Sequence, residues 1–227
     1  MILPTILSEF LPLLFYSLFY KKLTNKALKV FFYYTLGLAL FNIISSFVAF
    51  KFPALKFQAV KTFSIFEVLT VGLFFLAYFK KRYLRLGLYC GAVVFFIFFL
   101  FDFLPVGKSP FYSIIFEILF FLIVIILFLF RRMQEVVAIP ISSTISFWIA
   151  VGLFVYFSGI LFNVLFSKMD LGAEARSQRL LIYMIVTITK NILLCLALLG
   201  SEKNEITDEN IPFPNDEGFQ KLDISNN

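Results

Sequence analysis

Four ionisable side chains lie inside long apolar stretches of this chain: Glu9, Glu67, Glu117 and Lys190. An ionised group in hydrocarbon is costly, so each marks a buried pair, a ligand contact or an ion path. Asn42, Asn163 and Asn191 occupy similar surroundings and add hydrogen-bonding capacity. A carboxylate and an ammonium at similar depth can close an internal ion pair, and pairing of Lys190 with Glu67 or Glu117 is the first expectation. A recognition pocket in which one of these charges meets a ligand is the second. A proton or ion path, or a lysine whose head snorkels to the interface, follows. A lysine in the last of seven helices also resembles the position of retinal attachment, but no retinal-pocket pattern accompanies it.

Other chemistries lack their residues. His is absent, and the two cysteines, Cys90 and Cys195, fall inside apolar segments as small buried hydrophobes. There is no phosphate-binding glycine loop, no nucleophile elbow and no histidine-based catalytic set. Asp102 and Asp170 do not form a paired acidic motif of the magnesium-diphosphate kind. No catalytic residue, metal site or cofactor is therefore expected.

The elements that must position these groups are membrane spans. Of 227 residues, 61% are hydrophobic and only 15% charged, with 34 Phe, whereas a soluble domain carries roughly 25% charged residues. The mean hydropathy is +0.93, and apolar blocks of about 20 residues recur, enough to cross about 30 Å of hydrocarbon. An all-α bundle of seven transmembrane helices is expected, over about 2–20, 30–50, 61–79, 84–104, 111–130, 144–166 and 180–199. The first block holds Pro4, Pro12 and Glu9, and its lysines follow it, the reverse of a secretory signal. Residues 1–200 form the membrane domain. Residues 201–227, polar, acidic and containing Pro212, Pro214 and Gly218, read as a disordered tail too short for a catalytic output domain.

Charge sets the orientation. An outside N-terminus puts 12 basic residues in the cytoplasm, among them Lys80, Lys81, Arg82, Arg131 and Arg132, and 7 outside, including Arg176 and Arg179. The tail is then cytoplasmic. The net charge of +6 divides into 18 basic and 7 acidic residues over 1–200 and 2 basic and 7 acidic over 201–227. The positive part lies beside membrane segments, so membrane lipids rather than nucleic acid are its expected partners.

At 1.5 Å per residue, Asn163 lies about 5 Å from the outer helix ends, Glu67 and Glu117 about 10 Å, Glu9 and Asn42 about 12 Å, and Lys190 about 15 Å. With Asp102 near the outer rim of helix 4, all seven helices place a polar group in the outer half or midplane. A polar cavity open toward the outside is the reading. In helix 6, Gly152, Tyr156, Gly159 and Asn163 recur at steps of 4, 3 and 4 on one face, where small residues admit a neighbouring helix. Ser113 is expected to accompany Glu117 on helix 5, and Thr187 to cluster with Lys190 and Asn191.

Pro140 followed by Phe147-Trp148-Ile149, Gly152, Tyr156, Phe157-Ser158-Gly159 and Leu161-Phe162 resembles a signature of a largely uncharacterised inner-membrane family of Bacteroidota, especially flavobacteria-like organisms. Lys190-Asn191-Ile192-Leu193-Leu194, Glu67 and Asn42 resemble the same pattern, over most of residues 1–200. The resemblance implies a multi-span inner-membrane protein, sometimes encoded near signalling histidine kinases. It moves Glu67, Asn163 and Lys190-Asn191 ahead of Glu9 as site residues. A histidine frequent in the family's last helices is missing here, so no role resting on it carries over. The leading expectation is a membrane sensor or signalling accessory that detects a periplasmic or lipid-phase ligand and contacts a cytoplasmic partner such as a histidine kinase. A small transporter or proton-coupled permease is the alternative, followed by a lipid-modifying enzyme or a structural scaffold.

Overall fold

A computed structural model describes residues 2–19, 26–52, 56–103, 112–134, 144–167 and 173–198. Among them the chain forms seven α-helices: α1 (Ile2–Leu18), α2 (Lys26–Lys51), α3 (Lys56–Tyr78), α4 (Arg82–Phe103), α5 (Tyr112–Gln134), α6 (Ile145–Ser167) and α7 (Ala173–Ala197). Helix is what hydrocarbon demands, because it satisfies every interior backbone donor and acceptor within one segment. Six of the helices, α2 to α7, hold stretches long and apolar enough to cross a membrane. The exception is α1, with 17 residues and an apolar stretch over Leu7–Leu18. At 1.5 Å per residue it reaches about 25 Å, short of a hydrocarbon core of about 30 Å. The chain is a multi-pass membrane protein.

Three helices begin at least four residues earlier than hydropathy indicates. Helix α2 starts at Lys26 instead of 30, α3 at Lys56 instead of 61, and α7 at Ala173 instead of 180. Hydropathy marks the apolar window, whereas the backbone stays helical through good helix formers such as Ala173, Glu174, Ala175 and Arg176. Arg176 and Arg179 therefore belong to α7 and not to a loop. The 201–227 tail, Pro140 and the Lys21-Lys22 pair lie outside the described residues.

The helices close a ring in the order α1, α2, α3, α5, α6, α7 and back to α1, and α4 packs outside it against α3 and α5. Large apolar side chains point away from the bundle throughout. On α4 they include Leu86, Tyr89, Val93, Ile97 and Leu100, as expected of a helix with lipid on most of its surface. The most extensive helix contact is between α6 and α7. A Cβ on Gly159 would collide with Val186, and one on Gly152 would meet Leu194 at 3.1 Å, so glycine is what lets these helices touch.

Along its axis the bundle has two halves. Toward the α3–α4 connection its centre is filled by rings: Phe31 lies 5.4 Å from Phe74, Phe75 5.5 Å from Phe128, and Phe121 5.2 Å from Phe157. Ile149, Leu153, Leu194 and Ala197 complete this packing and are fully buried. At its far end the Arg132 guanidinium stacks over Tyr78 and Phe128, 5.6 Å from each centroid, and donates to Ser146 Oγ at 3.5 Å. Toward the α2–α3 and α6–α7 connections the centre holds the polar side chains instead.

Candidate functional site

The polar half encloses a cavity of about 340 Å³. It is lined from α1 (Glu9), α2 (Leu38, Phe41, Asn42), α3 (Phe63, Ser64, Glu67), α5 (Ile114, Glu117), α6 (Tyr156, Ile160, Asn163, Val164) and α7 (Arg179, Tyr183). Every helix of the ring contributes, and α4 does not. Six residues singled out by type and depth, Glu9, Asn42, Glu67, Glu117, Tyr156 and Asn163, thus come together around one space. Lys190 and Asn191 are buried just behind its wall, and Gly152 and Gly159 lie at the α6–α7 contact.

Lys190 does not pair with Glu67 or Glu117. Its Nζ donates to both oxygens of Glu9, at 3.0 and 3.2 Å, with the two side chains 0% and 5% exposed. The reason is topological: α1 and α7 are neighbours in the ring, whereas Glu67 and Glu117 stand on α3 and α5. One residue along, Asn191 Nδ2 donates to Ser8 Oγ at 2.9 Å. Two adjacent polar contacts therefore fasten the shortest helix to the last. Lys190 Nζ also lies 4.7 Å from the centroid of the Tyr156 ring, a cation-aromatic contact that further offsets its burial.

Glu67 is held by an aromatic hydroxyl. Tyr34 donates to its Oε1 at 2.7 Å, and Tyr156 lines the same space. Glu117 accepts from Ser64 through Oε2, while its Oε1 is buried with no hydrogen-bond partner. The two carboxylates are near enough to feel each other's charge. A buried acceptor left unpaired costs about 1–3 kcal/mol, so a donor reaching Glu117 Oε1 would relieve that cost.

Ser113 is not the partner of Glu117. Its backbone N–H and hydroxyl both donate to Asp102 Oδ2, at 3.0 and 2.5 Å, which ties the end of α4 to the first turn of α5. Lys61 Nζ donates to the Asp102 carbonyl at 2.7 Å. Asp102 thus has a local structural task and contributes nothing to the cavity, contrary to the expectation that all seven helices share the polar centre. Thr187 is buried in the same stretch as Lys190 and Asn191, and its hydroxyl has no hydrogen-bond partner.

Sequence reasoning passed over Tyr34, Ser64, Arg179 and Tyr183. Ser64 stands three residues before Glu67 on one helical face, a legible signal. Arg179, Tyr183 and Lys190 recur at steps of 4 and 7, also one face, but that pattern shows only once α7 is known to begin at Ala173. Tyr34 carries no signal, because its link to Glu67 depends on how α2 meets α3. Among the described residues no group of His, Cys, Asp and Glu side chains is arranged to hold a metal ion. Comparison with protein-family models, with curated proteins and with solved structures found no match for this chain.

Proposed function

We propose that this chain is a seven-span inner-membrane protein, N-terminus outside and tail in the cytoplasm, that senses a small ligand and reports its presence to a cytoplasmic partner. A histidine kinase is the partner class that the family resemblance implies. The observation that carries the reading is the one-sided cavity: a polar chamber at one end of the ring, closed beneath by packed aromatic rings. Such a chamber is of the size that small ligands occupy, and its closed floor favours binding over passage. The Glu9–Lys190 pair supports a seventh span, because it holds α1 at the depth of the middle of α7. Positive-inside charge supports the orientation, with Arg131 and Arg132 on the cytoplasmic side of α5.

The test fills the chamber. Asn163→Trp, at the cavity wall, is expected to abolish a ligand-dependent response in cells while the protein still reaches the membrane. Mild-detergent extraction of native membranes is expected to recover a signalling protein with the wild type. Unchanged signalling in a deletion strain, with no such protein recovered, contradicts the reading.

A proton-coupled permease is the second reading. It is favoured by the protonatable groups that line one chamber, Glu117 with Ser64, Glu67 with Tyr34, and Glu9 with Lys190. Flux in proteoliposomes that is lost in Glu67→Gln supports it, and absence of flux across a broad substrate panel removes it.

A further inference from the structure

We infer that the cavity takes a small organic cation bearing N–H donors, an amine or a guanidinium, with its charged head between Glu67 and Glu117. The inference rests on the reading of the chamber as a ligand site and names the ligand's chemistry.

Three carboxylates line the chamber, and among the described residues only Glu9 closes an ion pair, with Lys190. Glu67 is served by Tyr34, and Glu117 by Ser64, neutral donors that bring no countercharge of their own. Arg179 also lines the space, on the first part of α7, and among the described residues it closes no ion pair with Glu67 or Glu117.

The second observation is the orphaned Oε1 of Glu117, an acceptor on a side chain only 3% exposed and facing the chamber. An acceptor calls for a donor. A quaternary ammonium carries charge without a donor, and a carboxylate or phosphate would face its own sign. A primary amine or guanidinium supplies both charge and N–H. The remaining walls suit the rest of such a molecule. Phe41 and Phe63 stack with centroids 4.1 Å apart, and Tyr156 and Tyr183 present further rings. Aromatic faces attract a cation and receive an apolar body.

The test uses the full chain in lipid nanodiscs, with thermal unfolding and direct binding read for four matched probes. Phenethylamine supplies a charged N–H head, its N,N,N-trimethyl derivative the charge alone, 2-phenylethanol a neutral donor, and phenylpropionate an anion. Methylamine and agmatine extend the amine series to other sizes. Phenethylamine or another of the amines is expected to bind at least about tenfold more tightly than the other three classes. Glu117→Gln, which keeps the side chain's shape and its acceptor for Ser64, is expected to weaken that binding at least about tenfold. The comparison among probes on the unaltered protein stands even if a variant folds poorly. Preferential binding of the neutral, anionic or trimethylated probe overturns the cation inference but leaves the chamber as a ligand site. Binding by no probe of any class overturns both.

Discussion

The polar and aromatic halves of this bundle are made by the same helices, yet they are held together in different ways. In the aromatic half, Phe31, Phe74, Phe75, Phe121 and Phe128 fill space with many weak contacts. In the polar half, a few directed contacts join one helix to another: Glu9 with Lys190, Ser8 with Asn191, Tyr34 with Glu67 and Ser64 with Glu117. Lipid tails are as apolar as these side chains, so the aromatic half gains from close packing more than from burial. The difference teaches where specificity lies. Rings can repack around a lost neighbour, but a buried charge that loses its partner has no substitute.

The largest effect is therefore expected at the ion pair. Lys190→Met leaves Glu9 buried without its countercharge, and breaking such a pair costs about 3–5 kcal/mol. Unfolding in detergent or by steric trapping should show that loss and a looser α1. The double replacement Glu9→Gln with Lys190→Met should recover most of it, because two neutral groups of similar volume need no countercharge. A double mutant as unstable as Lys190→Met alone would show that the pair does not act as a unit.

Next come the helix contacts that let the ring close. Gly159→Leu drives a side chain into Val186 and is expected to cost about 1–3 kcal/mol by overpacking. Gly72→Ala, where a Cβ meets no atom within 4 Å, is expected to be neutral or slightly stabilising. Equal effects at the two glycines would remove the claim of close α6–α7 approach.

Hydroxyls in the two halves give the finest contrast. Tyr34→Phe removes the donor to Glu67 and is expected to cost about 0.5–1.5 kcal/mol, or more through the charged acceptor. Tyr16→Phe removes a buried hydroxyl that has no hydrogen-bond partner, so thermal stability should be unchanged or improved. A loss at Tyr16 equal to that at Tyr34 would erase the distinction between the halves.

Much of this arrangement is legible in the sequence, and the limits have physical causes. The helices follow from composition and apolar length, and hydropathy starts α7 too late because Arg176 and Arg179 interrupt the apolar run without interrupting backbone hydrogen bonds. The gathering of Glu9, Asn42, Glu67, Glu117 and Asn163 follows from depth alone, since ionisable groups turn inward from lipid. The pairing of Lys190 with Glu9 is not legible. Depth brings three carboxylates within reach of one ammonium, and the choice belongs to the order of helices around the ring. The same ignorance of neighbours assigned Ser113 to Glu117 when its partner, Asp102, lies across the α4–α5 connection.

Access distinguishes the halves most directly. In a chain with Cys90 and Cys195 replaced by alanine, single cysteines at Asn163, on the cavity wall, and at Leu153, in the aromatic half, are exposed to a charged, membrane-impermeant thiol reagent in sealed, oriented vesicles. A chamber open at one end predicts that Asn163→Cys reacts only from the α2–α3 side and that Leu153→Cys reacts from neither. Labelling of Leu153→Cys from the opposite side, or of Asn163→Cys from both, would contradict a closed aromatic floor and with it the one-sided site.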